Sequence, residues 1–153
     1  MSSLQVDSIA AIGGGHVDGT GEIVQFKEAV TTTQTTITDN TTTTILTINF
    51  TPKFSDSLIL CQGFHSNDRA SASGSYCSSL IYAGTTEVGR ASAVGFHITK
   101  TTDARFVYSY SGSIASWGTT SMAISIEASP FSGDWVVSYQ EKKTSLLVWE
   151  IAQ

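Results

Sequence analysis

The side chains of this 153-residue chain that could carry chemistry are few and far apart. His16, His65 and His97 fall into no HxH or HExxH arrangement, so they read as polar surface or strand-end residues rather than metal ligands. Serine–histidine–aspartate hydrolysis needs a nucleophile on a strained turn with a base in reach, yet no GxSxG occurs, and the sequence supports no enzymatic role. Gly13-Gly14-Gly15 lacks a following Lys-Ser/Thr and a preceding strand, which makes it a hinge and not a phosphate cradle. Asp39, Asp56, Asp68, Asp103 and Asp134 all sit at predicted turns, where aspartate caps the local backbone. No DxDxDG loop is present, and neither a metal nor another cofactor is expected. Cys61 and Cys77 lie in apolar, strand-like runs without CxxC spacing. Two readings stay open for them: small buried hydrophobes, or a bridge across neighbouring strands.

The aromatic residues say more. Trp117 stands in SIASWGTT between Ser116 and Gly118, and two readings fit it: a stacking platform or interface anchor, and a loop plug over the end of the domain. With Asp68 and Arg69 from the other long loop adding polar contacts, it is the candidate ligand site, suited to a shallow, hydroxyl-rich surface glycan. Trp135 and Trp149 alternate within strand-like runs and read as core or subunit interface.

The elements that must carry these residues are strands. From Glu22 onward the apolar period is two, and turn residues return at short intervals. EIVQFKEAV sets Val24, Phe26 and Val30 against Gln25 and Lys27. TTTTILTINF groups Thr44, Leu46, Ile48 and Phe50 before Thr51-Pro52, and LILCQGFH groups Leu58, Leu60 and Phe64 before the polar loop SNDRASASGS. ARFVYSYSG and SMAISIEA alternate cleanly, and TSLLVWEIA closes the chain. The expected fold is all-β, a two-sheet antiparallel jelly-roll-like sandwich over 22–153, with its last, apolar strand central rather than at an edge. Residues 1–21 differ: Leu4, Val6, Ile9 and Ile12 precede a glycine-rich stretch. That pattern reads as an attachment arm on a hinge, whose apolar residues pack on another copy or another protein.

Charged residues make up only 14% of the chain, against about 25% in typical soluble domains, so much of the surface is hydroxyl and backbone. The formal net charge is -5, with the cations scattered singly except for Lys142-Lys143. No basic stripe is available for a row of phosphates, which argues against a nucleic-acid partner. No run of 18 apolar residues and no signal-peptide pattern appears, so no membrane partner is expected.

Several segments, in order, resemble a family of small β-sandwich modules found in tail fibres and other virion structural proteins of tailed bacteriophages, particularly cyanophages. MSSLQVDSI is similar to their short N-terminal attachment sequence. EIVQFKEAVTTTQTTI followed by LTINFTPKFSDSLILCQGF resembles their Thr-rich strand, strand, TP turn and aliphatic strand. LIYAGTTEVG resembles their strand–turn segment with a Gly-Thr corner, and TSLLVWEIAQ their terminal strand ending in Glu-Ile. The resemblance spans nearly the whole chain. It implies a virion protein forming a homotrimer, with a sandwich related to those of complement C1q and tumour necrosis factor and the terminal strands near the threefold axis. Leu147, Trp149 and Ile151 would then lie in the oligomer interface, and Leu4, Val6, Ile9 and Ile12 would anchor the protein on a phage capsid or tail protein. Long fibres carry this module after a shaft, whereas only a short arm precedes it here. A small spike, head-decoration or tail-appendage protein therefore fits better, with host-surface glycan recognition as the alternative.

Overall fold

The computed structural model describes residues 21–69, 77–92, 105–115, 117–131, 133–138 and 142–153. Among them are ten strands and no helix: β1 (Ile23–Thr31), β2 (Thr35–Ile37), β3 (Thr43–Phe50), β4 (Leu58–Arg69), β5 (Cys77–Ala83), β6 (Thr86–Ser92), β7 (Arg105–Ala115), β8 (Met122–Pro130), β9 (Trp135–Val137) and β10 (Thr144–Ile151). Period-two patterning produces them. In β10 every second residue from Thr144 onward is buried, and in β8 Ile124, Ile126 and Ala128 are fully enclosed. Pro52 cannot donate to a ladder and follows the end of β3. Gly84, at φ +59°, takes the left-handed conformation that turns β5 into β6.

All strand pairs are antiparallel. The first sheet runs β1-β10-β4, with β7 on the other side of β4 and the short β9–β2 pair joined to the far half of β4; the second runs β3-β8-β5-β6. Except at the β5–β6 hairpin, successive long strands alternate between the two sheets, which is the winding of a jelly roll. β10 is central, flanked by β1 and β4, as its apolar character required. The arm residues 1–20 lie outside the described residues.

Two local readings of the sequence are corrected. Ser66–Arg69 continue β4 instead of opening a loop, because 66–68 pair with β7 on one side while 67–69 pair with β9 on the other. Asp68 is therefore in a strand, where pairing on both sides outweighs its preference for turns. A bulge between Thr44 and Leu46 turns Thr44 out to solvent, away from the inward Ile48 and Phe50.

The space between the sheets is filled by Ile48, Phe50, Ile59, Ile81, Ile124, Ile126, Leu146 and Val148 with Cys61 and Tyr110, and a second cluster gathers Cys77 and Trp135. Cys61 and Cys77 are free thiols. Burial pushes both up to about 12, so neither is a thiolate nucleophile at neutral pH. Along one side the sandwich is closed where β6 approaches β7 at Gly89 and Gly112.

Inside this core lies His65, which is only 1% exposed. The expectation of a surface or strand-end histidine is wrong for it: it points inward from the middle of β4 because its two ring nitrogens find hydroxyl partners. Nε2 is 2.5 Å from Ser79 Oγ on β5, and Nδ1 is 3.2 Å from Tyr110 OH on β7. Tyr110 reaches it by lying across Gly63, where an added Cβ would come within 2.7 Å of the ring. The Ser79–His65 pair has the spacing of a nucleophile and its base, but Ser79 is fully buried and the pair fills the core as a structural cross-link between sheets. Burial holds the His65 imidazole down at about 4. Because the folded value lies below the unfolded one, stability is complete above about pH 6.5 and falls as the pH drops towards 4, by about 3 kcal/mol in total. Urea unfolding at pH 7 and pH 4.5 is expected to show this loss, and His65→Phe to flatten it.

A second buried polar anchor joins the end of β10 to the turn after β3. Glu150 is fully buried. Its carboxylate accepts from Lys53 N at 2.9 and 3.0 Å, Phe54 N at 2.9 Å, Ser57 Oγ at 2.7 Å and Gln25 Nε2 at 2.7 Å. Burial disfavours the charged form and pushes the carboxyl up, but the four donors together outweigh burial and hold it below its ordinary value. Two segments picked out by the resemblance, the TP turn and the terminal Glu-Ile, are thus bonded to each other. Glu150→Ala, which strands those donors, is expected to lower stability by about 2–4 kcal/mol. The contribution is present above the usual carboxylate range and is lost as the pH falls below it, so the variant's deficit in denaturant midpoint narrows in acid.

Candidate functional site

The two outer faces of the sandwich differ sharply in character. On the second sheet the outward face is mostly polar or charged: Thr47, Asn49, Glu127, Ser129 and the bonded pair Arg90–Glu87, whose ion pair is 2.6 Å long, with Ala123, Tyr82 and the buried Leu80 among them. On the first sheet, strand register aligns the outward side chains in four rows across β1, β10, β4 and β7. The rows are Ile23–Ile151–Leu58–Ala115, Phe26–Trp149–Leu60–Ser113, Glu28–Leu147–Gln62–Ser111 and Val30–Ser145–Phe64–Ser109. One carboxylate interrupts an otherwise uncharged plane. At about 4.8 Å between strands and 3.3 Å per residue, the plane covers roughly 400 Å², the size of the largest patch on a typical monomer, which is often functional.

The burial of these side chains is incomplete. Ile23 is 62% exposed, Phe26 47% and Val30 43%, while Leu147, Trp149 and Ile151 are half-buried on the outward side of β10. Phe26 packs on Trp149 with ring centroids 5.5 Å apart. An open groove crosses the first three rows, lined by Ile23, Leu60, Trp149 and Ile151 on its apolar side and by Gln62, Ser111 and Ser113 on its polar side. The edge beside this face is guarded from the inward side: Lys27 Nζ donates to Asn49 O at 3.0 Å, Gln25 Nε2 to Thr51 O at 2.7 Å, and Lys53 Nζ to Val24 O at 3.4 Å. Side chains thus occupy the open carbonyls of β1 and β3, which disfavours edge-to-edge pairing and leaves the face as the exposed adhesive element.

Leu147, Trp149 and Ile151 are therefore on one face. Strand alternation in the sequence placed them together, but their neighbours Ile23, Phe26, Leu58 and Leu60 join them only through the order of strands in the sheet. Trp135, by contrast, is 1% exposed and belongs to the core. The structure does not bring Trp117, Asp68 and Arg69 together. Ala115, two residues before Trp117, pairs with Leu58 at the start of β4, whereas Asp68 and Arg69 end that strand, about 30 Å away at the usual rise. Trp117 is half-buried against the main core, its indole N–H enclosed without a partner, and its loop is fastened by Gly118 N donating to Ser55 O at 3.1 Å. Leu4, Val6, Ile9 and Ile12 lie outside the described residues. Among the described residues, no three histidines, cysteines or carboxylates gather as a metal site.

Neither a protein-family model nor a curated protein matches the chain. Among solved structures it is similar to the infectious bursal disease virus VP2 subviral particle (TM-score 0.46, 16% identity, 96% of this chain and 43% of that one). It is also similar to T=1 particles derived from that virus (0.48, 19%, 96% and 41%) and to its Gx strain (0.48, 14%, 97% and 42%). The chain spans less than half the length of each of these. The likeness is one of outline, and the reading below rests on the outward face.

Proposed function

We propose that this chain is a non-enzymatic structural protein of a virus particle, of the tailed-phage type that its sequence resembles, and that it assembles with itself through the outward face of the first sheet. The observation that carries the assembly is the contrast between the two outer faces: a mostly charged and hydroxylated one suits water, and one with a single carboxylate, built around Phe26, Leu60, Leu147 and Trp149, does not. A homotrimer is the form the resemblance implies. The resemblance puts the terminal strands near the threefold axis, and β1 and β10 are the strands that carry most of the exposed apolar residues here. The arm, with Leu4, Val6, Ile9 and Ile12, is the part that holds the assembly on a capsid or tail protein. Nothing in the reading calls for a cofactor, a membrane or nucleic acid.

Host-surface glycan binding is the second reading. Its residues are now split between opposite ends of β4, so it reduces to Trp117 at one end or to Asp68 and Arg69 at the other. Mass spectrometry of purified particles of the phage that encodes the chain tests the first reading directly. The chain is expected in a fixed copy number per particle, and its absence from particles would overturn the assignment.

A further inference from the structure

Glu28 is the one ionisable side chain in the four rows of the outward face. It stands on β1 in the third row, across from Leu147 and in line with Gln62 and Ser111. Strand alternation puts Phe26 and Val30 on the same side of β1, each about 7 Å from it along the strand. Both are exposed apolar residues, and Glu28 between them is exposed as well. A contact that covers both neighbours encloses the carboxylate with them. No cation of the face is placed to meet it. On this side β10 presents Ser145, Leu147, Trp149 and Ile151, and the residues of β4 and β7 in the rows carry no titratable group. β3, which packs against β1 from the other sheet, has no charged residue. Lys27, next to Glu28 in sequence, points to the other side of β1 and donates to Asn49 O, while Lys53 reaches Val24 O. Glu150 is inward on β10 and held by its own donors. Lys142 and Lys143 precede β10 beyond the fourth row, roughly 13 Å or more along the strand from Leu147. A second copy that meets this face with its own brings another carboxylate and no cation. Enclosing an unpaired carboxylate disfavours its charged form, whereas the neutral acid is enclosed at far lower cost.

We infer that Glu28 regulates self-association through its charge: each copy takes up a proton at Glu28 as the faces close, so the ionised side chain opposes assembly at neutral pH and assembly tightens in mild acid. The inference rests on the reading of this face as the self-association surface. Its sign follows from linkage. The assembled state binds more protons than the separate chains, so lowering the pH favours assembly. In the separate chain the same carboxylate sits among the exposed apolar residues of an edge strand, where a charge discourages indiscriminate pairing.

Subunit exchange between differently labelled copies of the full chain, followed at about pH 7.5 and about pH 5.5, tests it, because changes in affinity at one interface fall mostly on dissociation. Glu28→Gln is the variant, and Glu127→Gln on the opposite face is the control. Glu28 is exposed in the separate chain, so the amide replaces it without loss of the fold. The unmodified chain is expected to exchange tenfold or more slowly at the lower pH. Glu28→Gln is expected to exchange slowly already at the higher pH and to lose the pH response, while the control behaves as the unmodified chain. His65 is common to all three proteins, so the difference between them isolates Glu28. A pH response that survives in Glu28→Gln would overturn the inference, and so would a control that slows exchange as much, which would assign the effect to net charge. Faster exchange in Glu28→Gln would overturn it too, by showing that a cation of the neighbouring copy pairs with the carboxylate. Molar mass separates these failures from that of the underlying reading. Single chains for the unmodified protein and Glu28→Gln alike, at both pH values and every concentration, would sink self-association itself, whereas an assembly indifferent to Glu28 sinks the proton linkage alone.

Discussion

Gly112→Ala is expected to leave little or no folded protein. A Cβ at Gly112 would stand 1.9 Å from Val88 O and 2.9 Å from Gly89 N, and one at Gly89 would stand 2.7 Å from Ser111 O. The obstacles are backbone atoms of a strand already paired to β5, so no rotamer change relieves them. Here β6 and β7, edge strands of different sheets, pass each other with only hydrogen between them, which closes this side of the sandwich and covers two edges at once. Alanine forces the sheets apart through the layer holding Tyr110 and Cys61. The cost is expected to exceed about 3 kcal/mol, at the upper end for overpacking. Ser111→Ala, one residue away and facing outward, provides the control. A denaturant midpoint for Gly112→Ala close to that of the control would show that β6 and β7 are not in backbone contact.

The second large effect concerns assembly rather than folding. Trp149→Lys combined with Leu147→Lys puts two cations in the centre of the outward plane, flanked by Phe26 and Leu60, where no carboxylate other than Glu28 shares the plane. Both side chains are half-buried in the isolated chain, so a lysine stem can lie along the surface with its ammonium in water and the fold persists. At an interface the ammonium at position 149 must be desolvated without a partner, and the one at position 147 has only the cross-strand Glu28. Self-association is expected to weaken at least a hundredfold, about 2.7 kcal/mol by the usual conversion, with the unfolding midpoint little changed. Thr47→Lys, on the polar face of the second sheet, is expected to leave association intact. If the control weakened association as much as the double substitution, non-specific charge repulsion, and not the outward face, would be responsible.

Much of this architecture was legible in the sequence, for a physical reason. Strand alternation encodes which residues share a face, so the pairing of Leu147 with Trp149 and Ile151, and of Leu58 with Leu60 and Phe64, could be read directly. Alternation does not encode which face turns inward. Both faces of β10 are apolar, and only the inward placement of Glu150, held by four donors from the turn after β3 and from β1, reveals that Leu146 and Val148 are core while Leu147 and Trp149 are surface. Nor does it encode sheet order, which is what gathers β1, β10 and β4 into one plane. His65 was misread because a lone histidine in a strand carries no sign of the Ser79 and Tyr110 hydroxyls that meet it across the core. The glycine at position 63, opposite Tyr110, was the available clue: a glycine inside a strand marks a place where something passes close. The grouping of Trp117 with Asp68 and Arg69 failed for a related reason, since loops separated in sequence share an end of a sandwich only if the strands between them return to it.

The central claim, that the nearly uncharged outer face of the first sheet is where copies of this chain meet, is tested most directly by light scattering behind a sizing column over a range of concentrations. The expected result is a stable mass of three chains that persists on dilution and collapses to one chain in Trp149→Lys with Leu147→Lys. A single-chain mass for the unmodified protein at every concentration would contradict it.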